Sequence, residues 1–277
     1  LKDFPKPWDL NEEEYGQIIL QIWSWLYGLR KKSDDPSHIE LDRERFQKTA
    51  SFVRAIEIKL AQWAKQTGWI LKAHKNTHTI ATIRGVKEWI DLLSPNRFPY
   101  YHDWDEKWFF DFLDTVSDKS GWKPVWCKIV ISDKSNIEAL AKQLQQTNTW
   151  KWLDFITIDG GDWWSWAAPI ALGIMYGKNV YDAVELVDQV LKDYSVRDRV
   201  KIFASSKLYA PSMSARALAS WADAVWNARS IMIAWGCIRA WLCSGEHGTC
   251  PIWMATMDRS KRRWYEQVMV EKVFHIT

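Results

Sequence analysis

The chain has 277 residues, 47% hydrophobic and 26% charged, and a net charge of +3 from 37 basic and 34 acidic side chains. This is an ordinary globular composition, and the even spread of charge argues against a polybasic nucleic-acid surface. The most apolar run, 231–243, is interrupted by Arg239 and is too short to span a bilayer. No signal-peptide pattern opens the sequence, so a cytoplasmic protein without nucleic-acid or membrane partners is expected.

Pro5, Pro7 and the acidic stretch Asn11-Glu12-Glu13-Glu14 precede an apolar run over 18–29. That run reads as a strand or a short helix, and its Q-I-W-S-W-L-Y-G part favours a strand with a wide loop. Residues 41–50 predict a helix with Phe46 on its inner face. The alternating 53–60 predicts a strand, with 61–65 as its loop. Helices are predicted over 79–90 and 104–116, with a turn at Ser94-Pro95-Asn96. Then come a strand at 125–131, a helix at 136–146, a strand at 155–158 and a helix at 180–192. A strand at 200–203 leads to the loop Ser205-Ser206-Lys207, and a helix follows at 212–220. A short strand at 223–225 and a helix from 230 lead to a loop containing cysteines. A last helix is predicted around 261–273.

Alternating strands and helices predict parallel strands covered by helices. A spacing of about 40 residues between strands fits an α/β fold of the (β/α)8 TIM-barrel type. Five clear strands and one less certain early strand are visible. A barrel needs eight, and the chain begins at Leu1 in what reads as mid-domain sequence. One domain over 1–277, lacking its first strands, is therefore expected.

The organising stretch is 154–169, D-F-I-T-I-D-G-G-D-W-W-S-W-A-A-P. Its β-branched start is a buried strand, and Asp159-Gly160-Gly161 is a turn at its end. Trp163, Trp164 and Trp166 crowd the place where a binding loop would have small residues. With glycine at those three positions, the stretch closely resembles the loop after a late barrel strand in the FMN-binding domain of glutamate synthases. Further pieces match in order and distance from about Gln21 onward. They are I-E-I-K-L-A-Q-x-A-K at 56–65, I-R-G-V at 83–86, S-P at 94–95, A-D-A-V-x-N-A-R at 222–229, G-C-I-R-A-x-L-C at 236–243 and C-P-I-x-M-A-T at 250–256.

The departures from that family are systematic. Trp23, Trp25, Trp63, Trp69, Trp126, Trp163, Trp164, Trp166, Trp221, Trp226, Trp235, Trp241 and Trp253 stand where the family pattern has glycine. The chain holds 21 tryptophans and 12 glycines, and that glycine content is roughly 4% against a usual value of about 7%. Drift would scatter glycine into small residues, not send it repeatedly to the largest side chain. The pattern fits a gene whose UGA codons mean glycine, written here as tryptophan. The rival readings are an altered or degenerate protein and a real tryptophan-rich surface.

The resemblance implies an FMN- and iron–sulfur-dependent oxidoreductase. Its reaction would reduce 2-iminoglutarate, formed from 2-oxoglutarate and ammonia. FMN phosphate would sit at Ser205-Ser206-Lys207 and at Asn227-Ala228-Arg229, the loops after the last two strands. Gln62, Lys128 and the Asp159-Gly160-Gly161 turn would face the flavin ring. Lys59, Gln62 and Lys65 cluster at one strand end, where the lysines suit the carboxylates of 2-oxoglutarate. Taken alone, Lys128 reads as an exposed strand-end lysine, while the family pattern favours the flavin role; Lys59 and Lys65 have a solvated basic rim as their alternative. Cys237, Cys243 and Cys250 would hold a [3Fe–4S] cluster, although 244–249 carries an apparent two-residue insertion relative to the family. A zinc site with His247 or unliganded thiols are the alternatives. Cys127 is expected to be a buried apolar residue. Glu185, Asp188 and Asp193 read as the wet face of a helix. Separate amidotransferase and electron-donor subunits are implied. A reading from another class is a non-enzymatic electron-transfer or assembly subunit that keeps the cysteine loop and has lost flavin.

Overall fold

The computed structural model describes residues 17–26, 28–35, 37–60, 69–94, 98, 107–146, 153–161 and 177–235. Its frame is one six-stranded parallel sheet. The strands are β1 (Ile19–Ile22), β2 (Ala55–Lys59), β5 (Val125–Val130), β6 (Phe155–Asp159), β7 (Lys201–Ser205) and β8 (Ala224–Trp226), lying side by side in chain order. A strand order that never reverses belongs to a singly wound barrel rather than a doubly wound open sheet. These six parallel strands form the arc of an α/β barrel of the (β/α)8 type. A small antiparallel pair, β3 (Trp69–Leu71) with β4 (Leu92–Ser94), stands apart.

Helices follow the strands. They are α1 (Arg43–Phe52), α2 (His78–Arg84), α3 (Lys107–Ser120), α4 (Ser135–Gln146), α5 (Val180–Asp193), α6 (Pro211–Ala219) and α7 (Ala228–Ala234). Local chemistry sets their starts. Asp42 caps α1 by accepting from Arg45 N–H, and Asn179 caps α5 by accepting from Tyr181 and Asp182 N–H. Pro211 opens α6, where its missing N–H costs nothing.

The two faces of the sheet differ. Ile56, Ile58, Cys127, Ile129, Ile156, Ile158, Ile202 and Ala204 lie buried in the core with Phe46 of α1, Leu113 of α3, Leu140 of α4 and Val187 of α5. Period-two alternation puts Glu57, Lys59, Trp126, Lys128, Thr157, Asp159, Phe203 and Ser205 on the other face. That face is concave. Thr157 of β6 donates to Glu57 of β2 at 2.9 Å across β5, and Lys128 of β5 reaches Ser205 of β7 at 3.3 Å across β6. Strands two apart in a flat sheet would stand about 10 Å apart. All five residues of β2 are buried, as expected for a barrel wall packed on both sides.

Several expectations shift. The helix predicted over 79–90 stops at Arg84, because Gly85 takes the left-handed conformation that ends it. Three-residue β3 and β4 show no period in the sequence, and the predicted turn at Ser94 begins inside β4. Asp159 and Ser205 close their strands rather than open loops. Asp188 is not on a wet face. It is 3% exposed and paired with Arg197 and Lys192, each at 2.7 Å. The predicted helix at 261–273 lies outside the described residues. No helix among the described residues is long and apolar enough to cross a membrane.

Candidate active site

Polar side chains gather at the C-terminal ends of the central strands, where barrels build their sites. Each arrives by alternation. In I-E-I-K, Glu57 and Lys59 share a face; in V-W-C-K, Trp126 and Lys128 do; in F-I-T-I-D, Thr157 and Asp159 do. The registers pair Lys59 with Lys128, Lys128 with Thr157 and Asp159 with Ser205.

Two layers result. In the deeper layer Glu57 is 5% exposed and accepts from three donors. Trp126 Nε1 lies at 2.5 Å and Thr157 Oγ1 at 2.9 Å from Oε2, and Gln21 Nε2 donates to Oε1. An aromatic row, Trp126–Phe155–Phe203–Trp226, runs along the same face, with successive ring centroids 5.3, 5.0 and 5.7 Å apart.

The upper layer is charged. Lys128 Nζ lies 2.8 Å from Asp159 Oδ1 and donates to Ser205 Oγ at 3.3 Å. The Lys128–Asp159 pair joins β5 to β6 as a close, buried ion pair. Burial pushes the Asp159 carboxyl up, opposed by the Lys128 and Lys59 ammonium groups. Lys59 is 6% exposed and sits over the Trp23 ring at 4.5 Å. Burial lowers its pKa to about 8, against the raising effect of Asp159, with Lys128 lowering it further and Glu57 raising it. The outcome is a dry cluster of two cations around one carboxylate, suited to anionic oxygens.

The turn after β6 is tightly bound. Gly160 N–H donates to Ser205 C=O and Gly161 N–H to Lys178 C=O, each at 2.8 Å. A Cβ at Gly177 would lie 2.9 Å from Gly161 Cα and 2.6 Å from Val130 Cγ1, so the backbones there need glycine.

With this geometry in place, comparison with known proteins is decisive. Residues 9–275 match the family model described as the conserved region in glutamate synthase. This chain belongs to the glutamate synthase family. It is 37% identical over 241 residues to the glutamate synthase large subunit-like protein YerD of Bacillus subtilis, covering 87% of this chain and 44% of that protein. It is 30% identical over 185 residues to the archaeal glutamate synthase [NADPH] of Methanocaldococcus jannaschii, covering 66% of this chain and 35% of that protein. The chain therefore spans less than half the length of these relatives. A solved mandelate oxidase mutant with the monooxide FMN adduct aligns over 95% of this chain and 59% of its own, at 11% identity and a TM-score of 0.41. That match is too loose to add to the argument.

The family member's expected residues fall into four groups. Lys59, Lys128, Asp159 and Ser205 come together in the charged layer, with Gly160 N–H bonded to the Ser205 carbonyl. Ser206 is buried next to Ser205 at 8% exposure, and Lys207 follows it. Asn227, Ala228 and Arg229 stand at the start of α7, where Asn227 Oδ1 and C=O both accept from Ser230 Oγ. Gln62, Lys65, Cys237, Cys243 and Cys250 lie outside the described residues. The basic-rim reading of Lys59 and the exposed strand-end reading of Lys128 both fail, since each faces the concave interior. Cys127 is buried, and burial pushes its thiol far up. Glu57 and Thr157 were not anticipated, although Glu57 stands two residues before Lys59 on the same strand and so shares its face.

Proposed function

We propose that this chain forms the flavin-binding part of a glutamate synthase-type oxidoreductase, reducing 2-iminoglutarate formed from 2-oxoglutarate and ammonia. The observation that carries this reading is the buried Lys59–Lys128–Asp159–Ser205 cluster at the strand ends of a chain of this family. The residues fit FMN. The dry Lys128 ammonium can meet the N1–O2 edge of the ring, and the buried Ser205 and Ser206 suit a phosphate. Bound FMN would supply the hydride.

The side chains have the following parts. Lys128 offers positive charge to the reduced ring, and Ser205 Oγ steadies its ammonium. Asp159 keeps both lysines turned inward. Lys59, with Gln62 and Lys65, would hold the substrate carboxylates, and Phe155 with Phe203 would exclude water from below. Ser205, Ser206, Lys207, Asn227, Ala228 and Arg229 would take the phosphate. Cys237, Cys243 and Cys250 would carry a [3Fe–4S] cluster feeding electrons to the site. Amidotransferase and electron-donor subunits would supply ammonia and electrons.

Titration with FMN of the full chain carrying glycine at Trp163, Trp164, Trp166 and Trp226, followed by flavin fluorescence, tests the reading. Stoichiometric quenching is expected, weakened about tenfold or more in K128M. No binding by that chain would sink the proposal and favour the non-enzymatic electron-transfer subunit.

A further inference from the structure

Among the described residues, four helices end in the same hydrogen-bonded turn. In each, one N–H returns three residues and the next returns five, the pair that defines a Schellman end. At α2 these are Gly85 to Thr82 and Val86 to Ala81. At α3 they are Gly121 to Asp118 and Trp122 to Ser117; at α5, Ser195 to Lys192 and Val196 to Leu191. At α6 they are Trp221 to Leu218 and Ala222 to Ala217. The turn requires a left-handed residue at its first position. Gly85 and Gly121 supply it at φ +64° and +70°. Trp221 supplies it at +76°, with its side chain 59% exposed.

Two more tryptophans share the feature. Trp122 follows Gly121 at φ +62°, so two successive residues are left-handed, and Trp89 turns at +58° with its N–H on Asn76 C=O. They are 58% and 63% exposed. Five non-glycine residues among those described have positive φ, and three are tryptophan. The cost comes from Cβ meeting the carbonyl oxygen, which asparagine or aspartate tolerates and a bulky residue does not. Core burial does not repay it at these exposed positions. The Trp221 ring does lie 4.4 Å from Lys192 Nζ, a surface cation–π contact that recovers a part.

We infer that Trp89, Trp122 and Trp221 occupy backbone positions built for glycine, and that the polypeptide made in the source cell carries glycine at all three. Trp89 and Trp122 enter this set on backbone grounds alone. The inference stands apart from the flavin reading, since none of the three touches the charged cluster.

Peptide mass spectrometry of the protein isolated from its source organism is the direct test. The tryptic peptides starting at Glu88, Ser120 and Ala217 should each have glycine's mass at the position in question; tryptophan's mass there overturns the inference. A second measurement isolates the backbone term in the chain as written. W89G, W122G and W221G should each raise the folded-to-unfolded ratio about fivefold. W89A, W122A and W221A keep a Cβ and should gain little. Equal gains for alanine and glycine would assign the cost to the exposed indole instead and overturn the backbone argument.

Discussion

Lys128 Nζ and Asp159 Oδ1 stand 2.8 Å apart on neighbouring strands, with side chains 10% and 5% exposed. Removing one partner leaves the other charge buried. K128M should cost about 3 kcal/mol in urea unfolding, with Lys59 retaining part of the compensation for Asp159. The double variant K128M/D159L should lose less than the two single variants together, by about 1–3 kcal/mol. Strict additivity would show that the two side chains do not interact in solution.

Lys59 gives the chain a signature in alkali. Its folded pKa is depressed to about 8, whereas an unfolded lysine titrates near 10.4. Between these values the unfolded chain binds more protons, so stability rises with pH. The burial penalty is fully present below pH ~8 and is relieved by ~10.4, on the order of 3 kcal/mol in all. K59M should lack this rise. Parallel stability curves for the two proteins from pH 8 to 10 would contradict the burial of Lys59.

Glu57 holds the deeper layer through Trp126, Thr157 and Gln21. E57A strands two buried donors, Trp126 and Thr157, and a half-buried one, Gln21, and should cost about 4 kcal/mol. E57Q keeps one oxygen for Trp126 and Thr157 and should cost about 1 kcal/mol, with Gln21 turning its amide over. Chemical denaturation midpoints at constant m-value distinguish the two.

Asp188 is an anchor far from the site. It ties α5 to Arg197, which also reaches Asp223 at 2.9 Å and the Trp221 carbonyl at 3.0 Å. D188A should cost about 3 kcal/mol while leaving ligand affinity unchanged. A loss below about 0.5 kcal/mol would mean the pair is solvated.

The sheet was legible because its strands are β-branched and alternate, and the same alternation could have placed Glu57 beside Lys59. The spacing of Asp188 was equally informative. It stands four residues after Val184 and three before Leu191, both buried, so the helix period puts it on the inner face. Charge was given more weight there than position. The β3–β4 pair was not legible, because three residues cannot show a period and their pairing is set by tertiary contact. The depth of Lys128 was hidden for a related reason. A lysine in a strand looks like solvent until the partner strand supplies Asp159, 31 positions later. Trp89 misleads in the opposite direction, since nothing in its local propensity calls for a turn inside the helix predicted over 79–90.

The two layers together are close to electrically neutral, with Lys59 and Lys128 above set against Asp159 beside them and Glu57 beneath. An entering dianion would upset that balance, and Lys59, poised near pH 8, is the group able to restore it. Anion binding and proton uptake then become one event. Above pH 8 a site that admitted such an anion would have to draw a proton from the medium, and its affinity would decline as protons grow scarce. The heat of binding would accordingly vary with the ionisation enthalpy of the buffer, and the protein would act as a small proton sink whenever its site fills.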